Sequence, residues 1–132
     1  MTIVALFIGG AIGGFLRYFL ANVIPSVHGF PDATLLINLS GSLILGAFYG
    51  VAAVREVPNW LRMGFGVGVI GAYTTFSTLC LDTDTLFRHS LMESYLYIAA
   101  SMIGGPILAY VGDLLVAALS TRIWHTVEEV GQ

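Results

Sequence analysis

The sequence predicts an all-α membrane protein with four transmembrane helices, of which the third is broken near its middle. Hydrophobic residues make up 57% of the 132 residues and charged residues only 10%, a balance typical of chains that lie in lipid. Residues 71–79 interrupt the third apolar stretch with a glycine and clustered hydroxyl residues, which form helix poorly. We therefore expect a single four-helix transmembrane domain over residues 1–132.

The first predicted span covers about residues 2–23, enough to cross about 30 Å of hydrocarbon at about 1.5 Å per residue. Two overlapping pairs of glycines spaced four apart allow another helix to pack closely. The pairs are Gly9 with Gly13 and Gly10 with Gly14. Arg17 lies inside this span, where inserting a guanidinium costs about 3 kcal/mol. Either its side chain snorkels to the interface or it attracts an anion, because the first two spans contain no carboxylate to pair with it.

The second predicted span covers about residues 33–54. Thr34, Asn38 and Ser42 recur at every fourth position and form a polar stripe along one helical face. An asparagine in lipid commonly makes an interhelical hydrogen bond worth about 0.6 kcal/mol. Together with its two neighbours, Asn38 would instead line a polar path, and the residues alone leave both roles open.

The third predicted span covers about residues 61–89 and is broken at 71–75. Backbone groups freed by a break cost several kcal/mol if they face lipid, so the break must be buried or line a polar cavity. Breaks at membrane depth are where ion sites tend to lie. Phe76 either packs, or offers a small anion the partial positive charge of its ring edge. Ser77 and Thr78 either bond to their own helix or donate to an ion.

The fourth predicted span covers about residues 92–119 and is followed by a polar tail at 120–132. Tyr97 and Ser101 lie four apart on one face of this span, where packing is their expected role from the residues alone. The three histidines have no partners at ligand spacing, and no Ser-His-Asp arrangement is present, so we expect no enzyme. A net charge of −3 argues against a nucleic-acid partner.

The arginines give only a weak orientation signal. Four spans place Arg55, Arg62 and Arg122 on one side of the bilayer and Arg88 on the other, and the chain has no lysine. A chain with so small a bias can insert both ways and pair as an antiparallel homodimer of dual topology. Such a dimer brings two copies of the break together at a two-fold axis.

Three local sequences and the four-span layout resemble the CrcB/Fluc family of fluoride channels. The first is Gly-Ala-Ile-Gly-Gly-Phe-Leu-Arg-Tyr at 10–18, and the second is Thr-Leu-Leu-Ile-Asn-Leu-Ser-Gly-Ser at 34–42. The third is Gly-Ala-Tyr-Thr-Thr-Phe-Ser-Thr-Leu at 71–79, the predicted break. The resemblance covers nearly the whole chain, and the Thr-Thr-Phe-Ser-Thr run after a glycine is its most specific part.

This resemblance implies a passive fluoride-selective channel that exports cytoplasmic fluoride across the bacterial cytoplasmic membrane, with two pores per antiparallel dimer. It implies a fluoride pore formed by Arg17, Asn38, Phe76, Ser77, Thr78, Leu79, Tyr97 and Ser101. It also implies a structural Na⁺ at the dimer centre, held by the backbone carbonyl groups of Gly71 and Thr74 of each subunit. Leu79 occupies the place of the family's second pore phenylalanine, so the number of rings per pore stays open.

Two other functions stay open. A proton-coupled small multidrug-type exporter also has four helices and dual topology, but it needs a carboxylate inside the membrane. The candidate carboxylate is Asp113, late in the fourth span. The chain is alternatively a non-conducting subunit of a heterodimeric fluoride channel.

Overall fold

All regular structure in the described part of the chain is helical. The computed structural model describes residues 1–26 and 29–130, with side chains as far as Ser120. Helix α1 covers Thr2–Val23 and α2 covers Asp32–Val54. Four helical segments are long and apolar enough to cross a membrane, which confirms the predicted four spans and makes this a multi-pass membrane protein.

The third span, Asn59–His89, consists of several consecutive helical pieces. They are α3 (Asn59–Leu61), a π-helical segment π1 (Arg62–Ile70), α4 (Gly71–Tyr73) and α5 (Phe76–His89). Between α4 and α5, Thr74 and Thr75 have extended backbone angles, with ψ of 158° and 125°. We call these two residues the extended pair.

The fourth span, Leu91–Ser120, belongs to the longer helix α6, Leu91–Val130, which continues through Pro106. Residues predicted as a polar tail thus continue the helix as far as Val130. No glycine or proline occurs between Gly112 and the end of this helix, so no residue there favours a stop.

Helix α1 packs closely on π1 through one of its two glycine pairs. A Cβ atom at Gly9 would overlap the carbonyl oxygen of Gly64, and one at Gly13 would overlap the carbonyl oxygen of Val69. Gly10 has no atom within 4 Å of such a Cβ. The backbone contact, which in lipid is a main source of packing energy, therefore depends on the first pair.

Gly9→Ala is expected to lower the free energy of unfolding by at least about 1–3 kcal/mol, because the added methyl group meets backbone that cannot move aside. The neighbouring Gly10→Ala is the matched control. With open space around it, that change should leave stability equal or raise it by up to about 1 kcal/mol. Thermal unfolding in detergent measures both, and equal transitions would contradict the packing role.

Helices α2 and α6 pack in the same close manner, and α5 rests on α6. A Cβ atom at Gly46 would overlap the carbonyl oxygen of Ala109. A small apolar cluster of Leu79, Leu86 and Tyr97 joins α5 to α6. Helix α6 thus contacts both α2 and α5.

Candidate functional site

The extended pair is held by a side chain of α2. The amide group of Asn38 donates to the carbonyl oxygen of Thr75 at 2.9 Å, and the Thr75 N–H donates to Asn38 Oδ1 at 2.8 Å. The Thr75 N–H is therefore paired at a point where the helix does not pair it, and the Thr75 carbonyl oxygen gains a donor in addition to the one from α5. Left unpaired, the N–H would cost about 1–3 kcal/mol or more at membrane depth.

This arrangement leaves two carbonyl oxygens without their helical donors. In a continuous helix the Thr75 N–H would donate to Gly71 and the Thr78 N–H would donate to Thr74. The first donates to Asn38 instead, and the second donates to Thr75 Oγ1 at 3.2 Å. The Gly71 and Thr74 carbonyl groups are thus available to another partner.

Thr75 also begins α5. Its side chain caps the helix by accepting from the Thr78 N–H, and its hydroxyl lies 3.0 Å from Thr78 Oγ1 and 3.3 Å from Ser77 Oγ. The N-terminus of a helix carries partial positive charge from its unpaired N–H groups. Three hydroxyl groups and the positive end of a 14-residue helix therefore lie together.

A cavity of about 290 Å³, here called the break cavity, opens between α2, the third span and α6. Its polar lining comes from Asn38, Ser42, Thr74, Thr75 and Ser101. In the described residues, Ser101 Oγ is the one buried side-chain polar atom that has no hydrogen-bond partner. A buried hydroxyl group without a hydrogen-bond partner marks a place where a bound ion or polar ligand could form a hydrogen bond.

A second cavity of about 290 Å³, the arginine cavity, lies on the other side of Thr75. Its polar lining comes from Arg17, Thr34, Thr75, Ser77 and Thr78. Thr75 is the one residue that lines both cavities. Among the residues described, no carboxylate lines either cavity and Arg17 makes no salt bridge, so the local charge favours an anion.

The two apolar side chains at the start of α5 differ sharply in exposure. Phe76 is 68% exposed and Leu79 is 8% exposed, although both line the break cavity. The exposed ring can present its partially positive edge to an ion in the cavity. Leu79 mainly contributes to the cluster against α6.

Tyr97 is not brought to either cavity. It is 0% exposed, its hydroxyl donates to Asp82 at 3.2 Å, and its ring packs perpendicular to that of Phe30 at a centroid distance of 5.7 Å. Seven of the eight residues that the resemblance assigned to the pore therefore line the two cavities, and Tyr97 lies in the core beside them.

Thr75 is a site residue that was not predicted from the sequence. Its capping role could have been predicted, because threonine is a preferred residue directly before the first residue of a helix. Its hydrogen bonds with Asn38 could not be predicted from neighbouring residues, because Asn38 lies 37 residues earlier in the chain.

The fold and the site define a multi-pass membrane protein whose four apolar spans surround two polar cavities that meet at the extended pair, the kind of place where ion and substrate sites tend to lie. Residues 4–113 match the family described as CrcB-like protein, Camphor Resistance (CrcB). The chain belongs to this family.

Relatives from several organisms resemble the chain over most of its length. "Fluoride-specific ion channel FluC 2" of Halalkalibacterium halodurans is 42% identical over 120 residues, covering 91% of this chain and 89% of the relative. "Fluoride-specific ion channel FluC" of a Synechococcus species is also 42% identical, covering 88% and 89%. The protein of the same name from Nitrobacter winogradskyi is 41% identical, covering 92% and 95%.

Proposed function

We propose that this chain forms a passive, fluoride-selective ion channel rather than an enzyme. The observation that carries the proposal is the junction at Thr75, where Asn38 pairs the backbone and two polar cavities without carboxylates meet among the described residues. The names of the curated relatives support fluoride as the ion.

In this proposal, an anion enters the arginine cavity and reaches the N-terminus of α5. Arg17 supplies positive charge at the entrance, and the hydroxyl groups of Ser77 and Thr78 replace part of the hydration shell. The partial positive charge at the helix N-terminus acts in the same direction. A small, strongly hydrated anion needs such donors, because without them nothing offsets the free energy of its dehydration.

Beyond Thr75, the proposed path continues along the break cavity past Asn38, Phe76 and Ser101. The edge of the Phe76 ring offers weak positive charge, which admits a dehydrated anion without holding it tightly. Ser101 Oγ, which has no partner among the described residues, offers one further donor. Weak, successive sites favour conduction over trapping.

We further propose that two copies pair in antiparallel orientation, so that each dimer has two pores. The weak arginine bias of the sequence supports insertion in both orientations. Gly71 is exposed in the single chain and lines the open break cavity, so a second copy has room to contact it. A two-fold axis near Gly71 would bring both interruptions together.

The chemistry of the freed carbonyl groups fits a hard cation at that axis. Oxygen donors without net charge suit a cation such as Na⁺, and Gly71 and Thr74 offer two of them per subunit. A second copy would supply two more. When bound, Na⁺ would offset the negative ends of these carbonyl dipoles and hold the two copies together.

Such a channel fits the bacterial cytoplasmic membrane, where it would let fluoride that has accumulated in the cytoplasm leave down its gradient. The bacterial relatives support this location. A proton-coupled exporter is less well supported, because Asp113 is exposed and lines neither cavity. That mechanism needs a carboxylate which meets the cargo.

Efflux from liposomes that contain only this purified chain tests the proposal. Fluoride release should be rapid and electrogenic, while chloride release should stay near the rate of protein-free liposomes, because the donors described above suit the smaller ion. A fluoride electrode and a chloride electrode measure the two rates. Equal rates for both halides would overturn fluoride selectivity, and no release of either would favour a non-conducting subunit of a heterodimer.

A further inference from the structure

Tyr73 is the last residue of α4 and directly precedes the extended pair. It is 9% exposed and lines neither the break cavity nor the arginine cavity. Its ring crosses α2 at Gly41, where a Cβ atom would lie 3.2 Å from Tyr73 Cδ1. The Tyr73 hydroxyl lies 2.9 Å from Oγ of the neighbouring residue Ser40.

The direction of this hydrogen bond follows from the neighbours of Ser40. Ser40 Oγ also lies 3.1 Å from the carbonyl oxygen of Ile37. A carbonyl oxygen only accepts and a hydroxyl has a single proton, so Ser40 donates to Ile37 and Tyr73 donates to Ser40. The Tyr73 hydroxyl is therefore tied to α2 through a serine whose own orientation is fixed.

Three consecutive residues of the third span are thus in contact with one turn of α2. Thr75 pairs with Asn38, and Tyr73 pairs with Ser40. Between them, the methyl group of Thr74 packs where α2 has Gly41, since a Cβ atom there would overlap it. The extended pair is held from both sides rather than from Asn38 alone.

The geometry points to Ser40 and Tyr73 as a positioning pair that fixes the extended pair against α2, an inference that rests on the proposed channel function. Neither side chain needs to contact an ion. With the Tyr73 anchor in place, the segment cannot rotate about the Asn38 pairing, and the Gly71 and Thr74 carbonyl groups keep their direction. Without it, the route between the two cavities varies in width and the ion meets misaligned donors.

Tyr73→Phe keeps the ring and removes only the hydroxyl, and Ser40→Ala removes the other partner. The matched control is Tyr110→Phe, at a tyrosine of α6 that is 64% exposed. Hydrogen exchange followed by mass spectrometry on reconstituted protein reports the Thr74 and Thr75 amides directly. We expect both variants to exchange there about fivefold faster, the change in equilibrium that one net hydrogen bond makes, with Tyr110→Phe unchanged.

Fluoride efflux gives the second readout, with an expected loss of about fivefold for either variant and for the double variant. Effects of the two changes that do not add are the signature of one shared hydrogen bond. Additive effects, or exchange at the extended pair equal to that of the Tyr110→Phe control, would overturn the inference. Faster exchange spread through α1 and α6 would overturn it as well, because it indicates a general loss of stability.

The two proposals fail in different ways. If the unmodified chain conducts no fluoride, the channel function fails, while the exchange comparison still decides whether Ser40 and Tyr73 fix the segment. If Tyr73→Phe does not fold, the exchange test can be made with Ser40→Ala alone. Position 40 lies inside α2, and alanine is compatible with a helix.

Discussion

Asn38→Ala is expected to reduce fluoride efflux about 100-fold. The substitution removes the donor to the Thr75 carbonyl oxygen and the acceptor for the Thr75 N–H. The Thr75 N–H left unpaired costs about 1–3 kcal/mol, the hydrogen bond lost at the carbonyl oxygen costs about 0.5–1.5 kcal/mol, and about 1.4 kcal/mol corresponds to a tenfold change in rate. The Thr75 N–H can then recover a partner by donating to Gly71, which would continue the helix and close the junction between the cavities.

Asn22→Ala is the matched control, because Asn22 is exposed near the end of α1 and its amide donates to the Tyr18 carbonyl oxygen at 2.7 Å, within its own helix. This variant should conduct at the rate of the unmodified chain. Efflux is normalised to the amount of folded protein, measured by gel filtration of each sample. An Asn38→Ala variant that folds and keeps more than half of the efflux rate would contradict a role for this side chain at the junction.

The sequence was sufficient to predict four apolar spans, because hydropathy and length are local properties. It did not predict the π-helical form of Arg62–Ile70. The alternating Gly64, Gly66 and Gly68 indicated tight packing, but a residue without a side chain does not specify which helical form the backbone takes. Where the third span leaves helical angles, the backbone of Thr75 is paired with Asn38, which lies on another helix.

The site was predictable to the extent that it follows helical spacing. The stripe of Thr34, Asn38 and Ser42 does lie along one face, yet Thr34 lines the arginine cavity and the other two line the break cavity. A separation of four residues is about 6 Å along the axis, so neighbours on one face meet different surroundings. For the same reason Ser101 reaches the break cavity while Tyr97 pairs with Asp82.

Phe76→Ile is expected to reduce fluoride efflux about tenfold while leaving the free energy of unfolding within about 0.5 kcal/mol. The side chain is 68% exposed, so little packing is lost in the single chain. Isoleucine fills similar space but has no positive ring edge, and edge interactions of aromatic rings are worth about 0.5–1.5 kcal/mol. Phe15→Ile, at an α1 phenylalanine that is 66% exposed, is the matched control and should change neither quantity.

Leu79→Ala should show the opposite balance. Leu79 is 8% exposed in the cluster with Leu86 and Tyr97, so its truncation should lower the free energy of unfolding by about 2–5 kcal/mol. Efflux per folded protein should fall less than in Phe76→Ile, because an aliphatic side chain offers an anion no positive edge to lose. The reverse ranking of the two efflux rates would mean that the ion passes along Leu79, and that Phe76 contacts lipid or the second subunit instead.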